Sequence, residues 1–386
     1  MSISGTISSM SKQPPASGTD LPVGLTKKHP KKSGPVKKLY KRYRSWHSGL
    51  KRPVRFSFNI ALFLVVLLSV HTTVESLWVP VKNPSYGVSF SYKYAVELGN
   101  DWQANYTALL DDLQIRNFRL MSYWDLHEPE RGQFDFSILD WQMNEASKRG
   151  AKVTLSMGLR QPRWPECHEP RWAEAIQEES TEWRQALYAY IEVVTLRYKD
   201  HPALQSYQLE NEAVNNWFGT CSGAAPRDRL FEEYALIKKL DPNTPLWMSL
   251  SDQHGFPVRV PNPDAYGFSV YRTVWNDKGP FNFYVTYPTP IWYHRIRKLL
   301  VEHVHNRKVF VHELQIEPWA PTATKDASVE EQEKSMNAKQ IHKNFDFARK
   351  IGAPEIYTWG GEWWYWRKVH FNDPGPWETV RGELQQ

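Results

Sequence analysis

The sequence contains few cysteines and none of the short motifs that mark several large enzyme classes. Cys167 and Cys221 are its two cysteines, which allow one disulfide at most and are too few for a zinc finger or an iron–sulfur cluster. No Gly-x-Gly-x-x-Gly or Walker-type loop is present, which argues against an open nucleotide-binding sheet. A His-Glu-x-x-His motif and a Gly-x-Ser-x-Gly elbow are also missing. The sequence therefore gives no sign of a zinc hydrolase or an α/β-hydrolase.

The composition is that of a large globular protein. Its 386 residues are 41% hydrophobic and 23% charged, which is enough for a sizeable core in one large domain or two ordinary ones. The same figures exclude collagenous and wholly disordered proteins. Tryptophan is abundant, with 18 residues. Flat indole rings suit core packing and also stacking against sugar faces.

The positive charge is confined to the N-terminus. Residues 1–55 contain 13 Lys or Arg residues and one acid, Asp20, whereas the rest of the chain contains 35 basic and 41 acidic residues. A nucleic-acid-binding protein that is basic throughout would not divide in this way, so we expect no nucleic-acid partner. The tail is rich in Ser, Pro, Gly and Lys, and this composition predicts disorder.

An uncharged segment follows the tail. Residues 56–74 carry no charge and 60–70 are almost wholly apolar, although a membrane-spanning helix usually needs about 20 such residues. The basic flank precedes the segment and Glu75 follows it, so the positive-inside rule places the tail in the cytoplasm and the large domain outside. We favour an uncleaved anchor, in contact with membrane lipid, over a buried core helix or a cleaved signal peptide that would release a secreted protein.

Short β-branched or aromatic runs alternate with helical patterns after this segment. Eight such units over about 300 residues predict a (β/α)₈ TIM barrel, an α/β fold, rather than a doubly wound sheet. The predicted regions are a disordered basic cytoplasmic tail over 1–55, a transmembrane signal anchor over 56–76 and the barrel over 77–386. The expected strands are Tyr86–Ser91, Asn117–Tyr123, Lys152–Gly158, Leu204–Glu210, Leu246–Ser251, Gly267–Tyr271, Lys308–Leu314 and Glu355–Trp359. The expected helices are Trp102–Leu113, Ser137–Arg149, Thr181–Tyr198, Arg227–Leu240, Pro290–His305 and Glu330–Ile351, with a short or missing final helix.

A barrel carries its reacting groups at the carboxyl ends of its strands. Carboxylates and indoles dominate the polar residues there, and no metal-ligand cluster at recognisable spacing stands among them. Glu212 follows the fourth strand and Glu313 ends the seventh, so the two can face one another across the barrel mouth. A pair of opposed carboxyl groups is the machinery of glycoside hydrolysis.

Two segments carry a family resemblance. Tyr207-Gln-Leu-Glu-Asn-Glu212 and Val309-Phe-Val-His-Glu313 resemble the signatures of clan GH-A glycoside hydrolases, a clan of retaining (β/α)₈ barrels. The segment from Arg119 to Trp124 and the following Glu128-Pro-Glu-Arg-Gly-Gln-Phe-Asp-Phe136 are similar to the second-strand region of cellulases, xylanases and β-galactosidases of the clan. The resemblance covers roughly residues 86–383 and implies a glycosidase acting on O-glycosyl bonds.

The resemblance also implies roles for individual residues. Glu212 would be the acid/base and Glu313 the nucleophile, with Asn211 bound to the 2-hydroxyl of the sugar. Arg119 would hold Glu313 ionised, since a nearby cation favours the charged form, and Tyr271 would donate a hydrogen bond to the same carboxylate. Three further residues are candidates for substrate binding, namely Trp359 at the floor of the subsite, Trp124 and Glu362.

The expected reaction is double displacement with net retention on a β-linked oligo- or polysaccharide. Transglycosylation of cell-surface glycan, or glycan binding without cleavage, are the alternatives. We expect a monomer that needs no metal or cofactor. Glu210, Glu317 and Glu362 are rival carboxylates, and strand alternation places Glu210 on the same face as Glu212.

Further predictions concern side chains in the loops of the presumed catalytic face. Cys167 and Cys221 follow neighbouring strands, and export to an oxidising space would favour a disulfide between them. Several tryptophans there are candidate sugar platforms, with half or more expected to pack instead: Trp124, Trp164, Trp172, Trp217, Trp363, Trp364 and Trp366. Polar candidates after the fifth strand are Asp252, Gln253 and His254.

Overall fold

The computed structural model describes residues 34–78, 81, 83–215, 219–251, 255–278 and 282–385. The chain divides into two compact units, residues 1–68 and 69–386. Residues 1–33 of the predicted disordered tail, and the candidates Trp217, Asp252, Gln253 and His254, lie outside the described residues.

The described part of the tail is helical rather than disordered. Helix α1 spans Pro35–Gly49 and α2 spans Arg52–Leu77. Pro35 stands at the first position of α1, where its fixed φ suits helix initiation, and the Lys, Leu and Arg residues that follow have good helix propensity. Within the first unit, Trp46 of α1 packs edge-on against Phe58 of α2, with ring centroids 5.0 Å apart.

The apolar character of α2 agrees with the predicted segment over 56–76. Residues Arg52–Ser76 form the one helix in the described part of the chain that is long and apolar enough to cross a bilayer. Large apolar side chains along it are exposed, among them Phe63, Leu64 and Val65. Length and composition therefore permit a membrane span here.

A closed barrel of eight parallel strands forms the second unit, as predicted. Its strands hydrogen-bond in the order β1, β10, β9, β6, β5, β4, β3, β2, and a separate antiparallel hairpin pairs β7 with β8. The strands are β1 Ser85–Ser89, β2 Asn117–Met121, β3 Lys152–Met157, β4 Leu204–Leu209, β5 Leu246–Leu250, β6 Ala265–Val270, β7 Thr273–Asn276, β8 Phe283–Thr286, β9 Lys308–Gln315 and β10 Glu355–Trp359. All eight barrel strands coincide with predicted ones to within a few residues.

Helices fill the connections between strands. They are α3 Tyr92–Glu97, α4 Trp102–Asp111, α5 Trp124–His127, α6 Ser137–Lys148, α7 Arg171–Glu174, α8 Thr181–Tyr198, α9 Arg227–Leu240, α10 Ile291–His305, α11 Val329–Ser335, α12 Ala338–Ile351, α13 Gly361–His370 and α14 Gly375–Leu384, with a 3₁₀ turn at Thr324–Asp326. Helices α8 and α9 have the predicted bounds.

Apart from the short helices α3, α5 and α7, which were not predicted, the structure differs from the predicted helices in two places. The expected helix over Glu330–Ile351 is broken, because Asn337 accepts a hydrogen bond from the backbone N–H of Gln340 and so starts a new helix. The end of the chain forms two helices, α13 and α14, although we expected the final helix to be short or missing. Trp377 of α14 is fully buried, and this apolar contact stabilises a short helix.

Strand order and register set the geometry of the barrel mouth. Between β4 and β9 lie two strands, β5 and β6. The register of β6 against β9 shifts after Phe268, so that Ser269 is the partner of Glu313. This shift brings a hydroxyl group and a carboxylate to the same level at the carboxyl ends of the strands.

Candidate active site

The two predicted carboxylates lie close together at the carboxyl ends of their strands. Glu212 follows β4 and Glu313 lies near the end of β9, and each is 4% exposed. One carboxylate oxygen of each, together with one ring nitrogen of His312, lie within 4.8 Å of one another. Carboxyl groups about 5–5.5 Å apart are typical of retaining glycosidases, whereas inverting enzymes need roughly 6.5–9.5 Å. An approach of their oxygens to within 4.8 Å is compatible with the shorter, retaining separation.

Arg119 of β2 connects the two strand ends. It is fully buried, and its Nη1 donates to Glu313 Oε1 at 2.6 Å. Its Nη2 donates to Asn211 Oδ1 at 2.7 Å, and its Nε to Gln208 Oε1 at 2.6 Å. The planar guanidinium fork thus fixes the nucleophile candidate and the Asn-Glu segment relative to one another.

The second oxygen of Glu313 has its own donor. The Tyr271 hydroxyl donates to Glu313 Oε2 at 3.0 Å, and burial, with the nearby acidic side chains adding to it, raises the pKa of this phenol well above its usual range. The phenol therefore stays protonated and remains a donor at neutral pH. Burial, and then the charge of Arg119, lowers the pKa of His312 well below its usual value, so this imidazole is neutral beside Glu313.

Glu212 is held by three residues that sequence analysis did not single out. Ser269 of β6 donates its hydroxyl to Glu212 Oε1, and Asn215 Nδ2 donates to Oε2 at 3.2 Å. The backbone N–H of Glu212 donates to Ser249 Oγ of β5 at 2.6 Å. The only sequence signal for these residues was their position near strand ends, and serine there is too common to identify alone.

Glu210 does not share the cleft with Glu212, contrary to the strand-alternation argument. β4 ends at Leu209, and Glu210 and Glu212 both have positive φ, at 52° and 42°, so the period-2 rule no longer applies to them. The Glu210 carboxylate accepts hydrogen bonds from the backbone N–H groups of Leu159 and Arg160, at 3.0 and 2.6 Å. Glu210 thereby anchors the loop after β3.

The other two rival carboxylates belong to a separate ion-pair cluster. Arg163 pairs with Glu317 and, at 3.0 Å, with Glu362. Glu362 is fully buried and also accepts from the backbone N–H of Ser91 at 2.5 Å. Burial, opposed by the charge of Arg163, raises the pKa of Glu362. Its predicted contact with substrate is corrected accordingly, because both of its carboxylate oxygens bind protein groups.

The structure places the two tryptophans that were predicted to bind sugar, Trp359 and Trp124, in different surroundings. The Arg163 guanidinium lies 4.0 Å from the ring centroid of Trp359, so a sugar can stack only against the other face of that ring. Trp124 is fully buried, its Nε1 donates to Glu128 Oε2 at 2.6 Å, and its ring packs on those of Trp183 and Tyr190. Trp124 is a core residue, because the helix α5 that follows β2 turns this indole inward.

Most of the other predicted sugar-platform tryptophans that the structure describes pack against the protein interior. Trp363, Trp364 and Trp366 are buried, Trp172 is half-buried, and Trp164 is 73% exposed. Trp319, which was not predicted, is 48% exposed and packs edge-on against Tyr271, with ring centroids 5.5 Å apart. Trp319 thus presents a partly exposed indole next to the tyrosine that binds Glu313.

A disulfide joins the loops after β3 and β4. Cys167 and Cys221 are bonded, with Cα atoms 5.4 Å apart. Next to this bridge, Glu166 is 8% exposed and accepts from Asn211 Nδ2 at 3.0 Å. Burial, together with the charges of Glu313 and Glu212, raises the pKa of the Glu166 carboxyl well above its usual range. This third acid was missed because it lies in a loop well beyond the end of β3.

The site also contains residue types that can bind a divalent cation. Glu212, His312 and Glu313 are the group with suitable ligand atoms among the described residues. The two carboxylates already bind protein donors: Arg119 and Tyr271 bind Glu313, and the hydroxyl of Ser269 binds Glu212. The Arg119 guanidinium already supplies a positive charge to the Glu313 carboxylate.

Comparison with known proteins gives partial matches. The model of glycoside hydrolase family 42, described as beta-galactosidase, matches residues 98–250. The chain is 29% identical to "Mannan endo-1,4-beta-mannosidase F" of Aspergillus fumigatus over 173 residues. This alignment covers 39% of this chain and 35% of that protein. It is 28% identical to a "Beta-galactosidase" of an Arthrobacter species over 191 residues. This alignment covers 43% of this chain and 26% of that protein. The chain thus spans between about a quarter and a third of the length of these curated relatives.

Solved structures share the fold. Xylanase 10B of Thermotoga maritima superimposes with a TM-score of 0.51 at 15% identity, over 78% of this chain and 95% of that one. An endo-beta-1,4-xylanase of Gloeophyllum trabeum gives a TM-score of 0.50 at 17% identity, over 79% of this chain and 97% of that one. These likenesses confirm the TIM barrel, and the family model and curated relatives agree with the resemblance at the level of the clan.

Proposed function

We propose that this chain is a retaining glycoside hydrolase of clan GH-A that cleaves β-glycosidic bonds in an oligo- or polysaccharide. The observation that carries the proposal is the approach of Glu212 and Glu313 to within 4.8 Å across the barrel mouth. A buried carboxylate pair is costly unless its charge is compensated. A protein that only binds glycan has no need of such a pair, so we favour catalysis over the binding-only alternative.

The first step forms a glycosyl-enzyme. The Glu313 carboxylate oxygen bonds to the anomeric carbon while the bond from that carbon to the leaving oxygen breaks, and protonated Glu212 gives its proton to that oxygen. Arg119 and Tyr271 orient Glu313 for the attack through their hydrogen bonds to its two oxygens. The sugar then carries an ester bond to Glu313.

The second step releases the sugar. Glu212, now ionised, takes a proton from water while the water oxygen bonds to the anomeric carbon and the ester bond to Glu313 breaks. Two inversions at one carbon give net retention, and both carboxyl groups return to their starting states. Transfer to a sugar hydroxyl instead of water would give the transglycosylase alternative from the same intermediate.

A substrate screen would identify the sugar and the linkage that the chain cleaves. The relatives are named for β-mannan and β-galactoside substrates, so aryl β-mannosides, aryl β-galactosides, mannan and xylan are the first probes for the full chain in detergent. NMR of the first-formed anomer should show the β-product. The α-anomer appearing first would contradict retention, and failure of Glu212→Gln and Glu313→Gln to lower hydrolysis would contradict the site.

We also propose that the chain is a membrane-anchored monomer with its N-terminus in the cytoplasm and its barrel outside. The apolar helix over Arg52–Ser76 and the basic residues before it support this orientation. A disulfide between Cys167 and Cys221 suits an oxidising compartment. Sequencing the N-terminus of the mature protein tests the anchor, since a start near Leu77 would show a cleaved signal peptide instead.

A further inference from the structure

Glu166 lies at the active site without a part in the double-displacement steps. It belongs to the loop between β3 and α7, and its Oε2 accepts from Asn211 Nδ2 at 3.0 Å. In the part of the chain that the structure describes, its other oxygen has no hydrogen-bond partner. Asn211 is the residue that, under the proposed function, binds the 2-hydroxyl of the sugar.

The loop is built to hold this side chain in place. The Glu166 backbone N–H donates to Arg163 O, and its carbonyl accepts from the N–H of Gln161, both at 2.8 Å. The next residue, Cys167, is bonded to Cys221. On the other side, a Cβ at Gly219 would lie 2.7 Å from Glu166 Cβ, so the glycine allows the two loops to close on Glu166. A positive φ of 73° at Glu166 indicates backbone strain kept at a functional position.

The orientation of Asn211 depends on this contact. Asn211 Oδ1 accepts from Arg119 at 2.7 Å and from Gln208 Nε2 at 3.2 Å, so its Nδ2 must face away from both donors. One N–H of this group binds Glu166, and the other remains for a substrate hydroxyl. A hydroxyl bound there lies next to the Glu166 carboxyl group.

We propose that Glu166, in its protonated form, is a substrate-binding residue that donates a hydrogen bond to the sugar 2-hydroxyl and positions Asn211 for the same hydroxyl. This rests on the proposed glycosidase function and deepens it, because it makes recognition at C2 a property of the β3–α7 loop. The relatives act on sugars that differ in the configuration of that carbon, so this loop is where such a preference would be set.

The electrostatic surroundings keep the acid neutral. Burial, with the charge of Glu313 adding to it, raises the pKa of Glu166, while Asn211 and Arg160 act in the opposite direction. A protonated carboxyl group has an O–H to donate, which an ionised one lacks. Ionisation at high pH would therefore remove the donor and add a third negative charge to the site.

A cycle of enzyme and substrate changes tests the proposal on the full chain. Glu166→Ala should lower kcat/KM for an aryl β-glycoside about 10- to 100-fold, the worth of one or two buried hydrogen bonds. It should have little effect on the 2-deoxy form of the same glycoside. Equal losses on both substrates would overturn the proposal, since a merely structural defect does not distinguish them. Glu169→Gln, an acid in the same loop that binds Trp183, is the matched control.

Two further measurements separate this proposal from the glycosidase function. Glu166→Gln is neutral and nearly isosteric, so it should keep most of the activity and make the alkaline decline of kcat/KM less steep; an unchanged decline would overturn the protonated form. Calorimetry with iminosugars that carry or lack the equivalent of the 2-hydroxyl gives a comparison without turnover. If both bind the wild type and lose equal affinity in Glu166→Ala, only the Glu166 role fails; if neither binds, the glycosidase function fails with it.

Discussion

At the residue scale, the central element of the site is a single buried arginine. Arg119 reaches Glu313, Asn211 and Gln208 with three different nitrogen atoms. A lysine keeps the charge but offers one point of contact instead of a planar fork. The role of Arg119 therefore depends on the geometry of its guanidinium group as well as on its charge.

Replacement of this arginine should impair catalysis more than folding. We expect Arg119→Lys to lower kcat/KM about 100-fold, through loss of roughly 3 kcal/mol of charge-assisted hydrogen bonding. Steady-state kinetics with the best aryl glycoside measures this. Arg131→Lys, at an exposed ion pair with Glu182, is the control, and equal activity in the two variants would contradict the role of Arg119.

The hydroxyl of Tyr271 should matter less. Tyr271→Phe removes the donor to Glu313 Oε2 but keeps the ring that packs on Trp319. We expect kcat to fall about 10-fold, from loss of one hydrogen bond to a charged group, with the thermal midpoint of unfolding almost unchanged. A fall in stability with full activity would show that the hydroxyl has only a structural role.

The sequence identified the residues that carry a motif and missed those that do not. Arg119, Asn211, Glu212, Tyr271 and Glu313 could be named from strand ends and the clan resemblance, and the structure brings all five together. Ser249 and Ser269 are common residues whose contribution depends on the register of β5 and β6. The packing of Trp124 depends on the turn of α5, which its sequence does not show.

At the scale of elements, close contacts between neighbouring strands restrict residue choice. A Cβ added to Gly267 of β6 would lie 2.6 Å from Cβ of His312 on β9. We expect Gly267→Ala to lower the free energy of unfolding by about 1–3 kcal/mol, the usual cost of overpacking. Gly382→Ala is the matched control, because nothing lies within 4 Å of a Cβ there. Denaturant unfolding compares the two, and equal stabilities would contradict the close approach.

The disulfide should stabilise the loops that hold Glu166. Cys167 and Cys221 are 54 residues apart in sequence, and closing a loop of that length stabilises by about 4 kcal/mol in the chain-entropy model. We expect the double variant Cys167→Ser and Cys221→Ser to lose much of this and to have a raised KM. The wild type under reducing conditions should behave like the variant, and stability independent of reductant would contradict the bridge.

Strand alternation and helix periodicity predicted elements well but not the residues just past their ends. The eight barrel strands were evident from β-branched runs, whereas the β7–β8 hairpin was not. The same limit applies to Glu210, whose positive φ follows the end of β4 and turns its carboxylate toward the backbone of the preceding loop.

At the scale of the whole molecule, buried neutral acids make stability depend on pH. Burial raises the pKa of Glu233 well above its usual range, with the nearby Glu210 and Glu179 adding to it. Burial also raises the pKa of Glu166 well above its usual range. Between the unfolded and folded pKa values the folded state holds the extra proton, so stability is fully present at lower pH and falls as pH rises. The slope is at most about 1.4 kcal/mol per pH unit for each such group.

Glu233→Gln should therefore flatten the decline of stability above about pH 4.5, where an unfolded glutamate loses its proton. Thermal unfolding across a pH series measures this. Glu192→Gln, at an exposed position of α8, should leave the slope unchanged. A wild type whose stability rises steadily over the same range would contradict a protonated Glu233 in the folded protein.

The most direct test of the account is to trap the glycosyl-enzyme. A 2-deoxy-2-fluoro glycoside of the best substrate, incubated with the full chain, should add the mass of one sugar to the peptide that contains Glu313. Because the trapped bond is an ester to that carboxylate, Glu313→Gln should show no adduct. A sugar attached to another residue, or turnover with inversion and no covalent adduct, would contradict the double displacement.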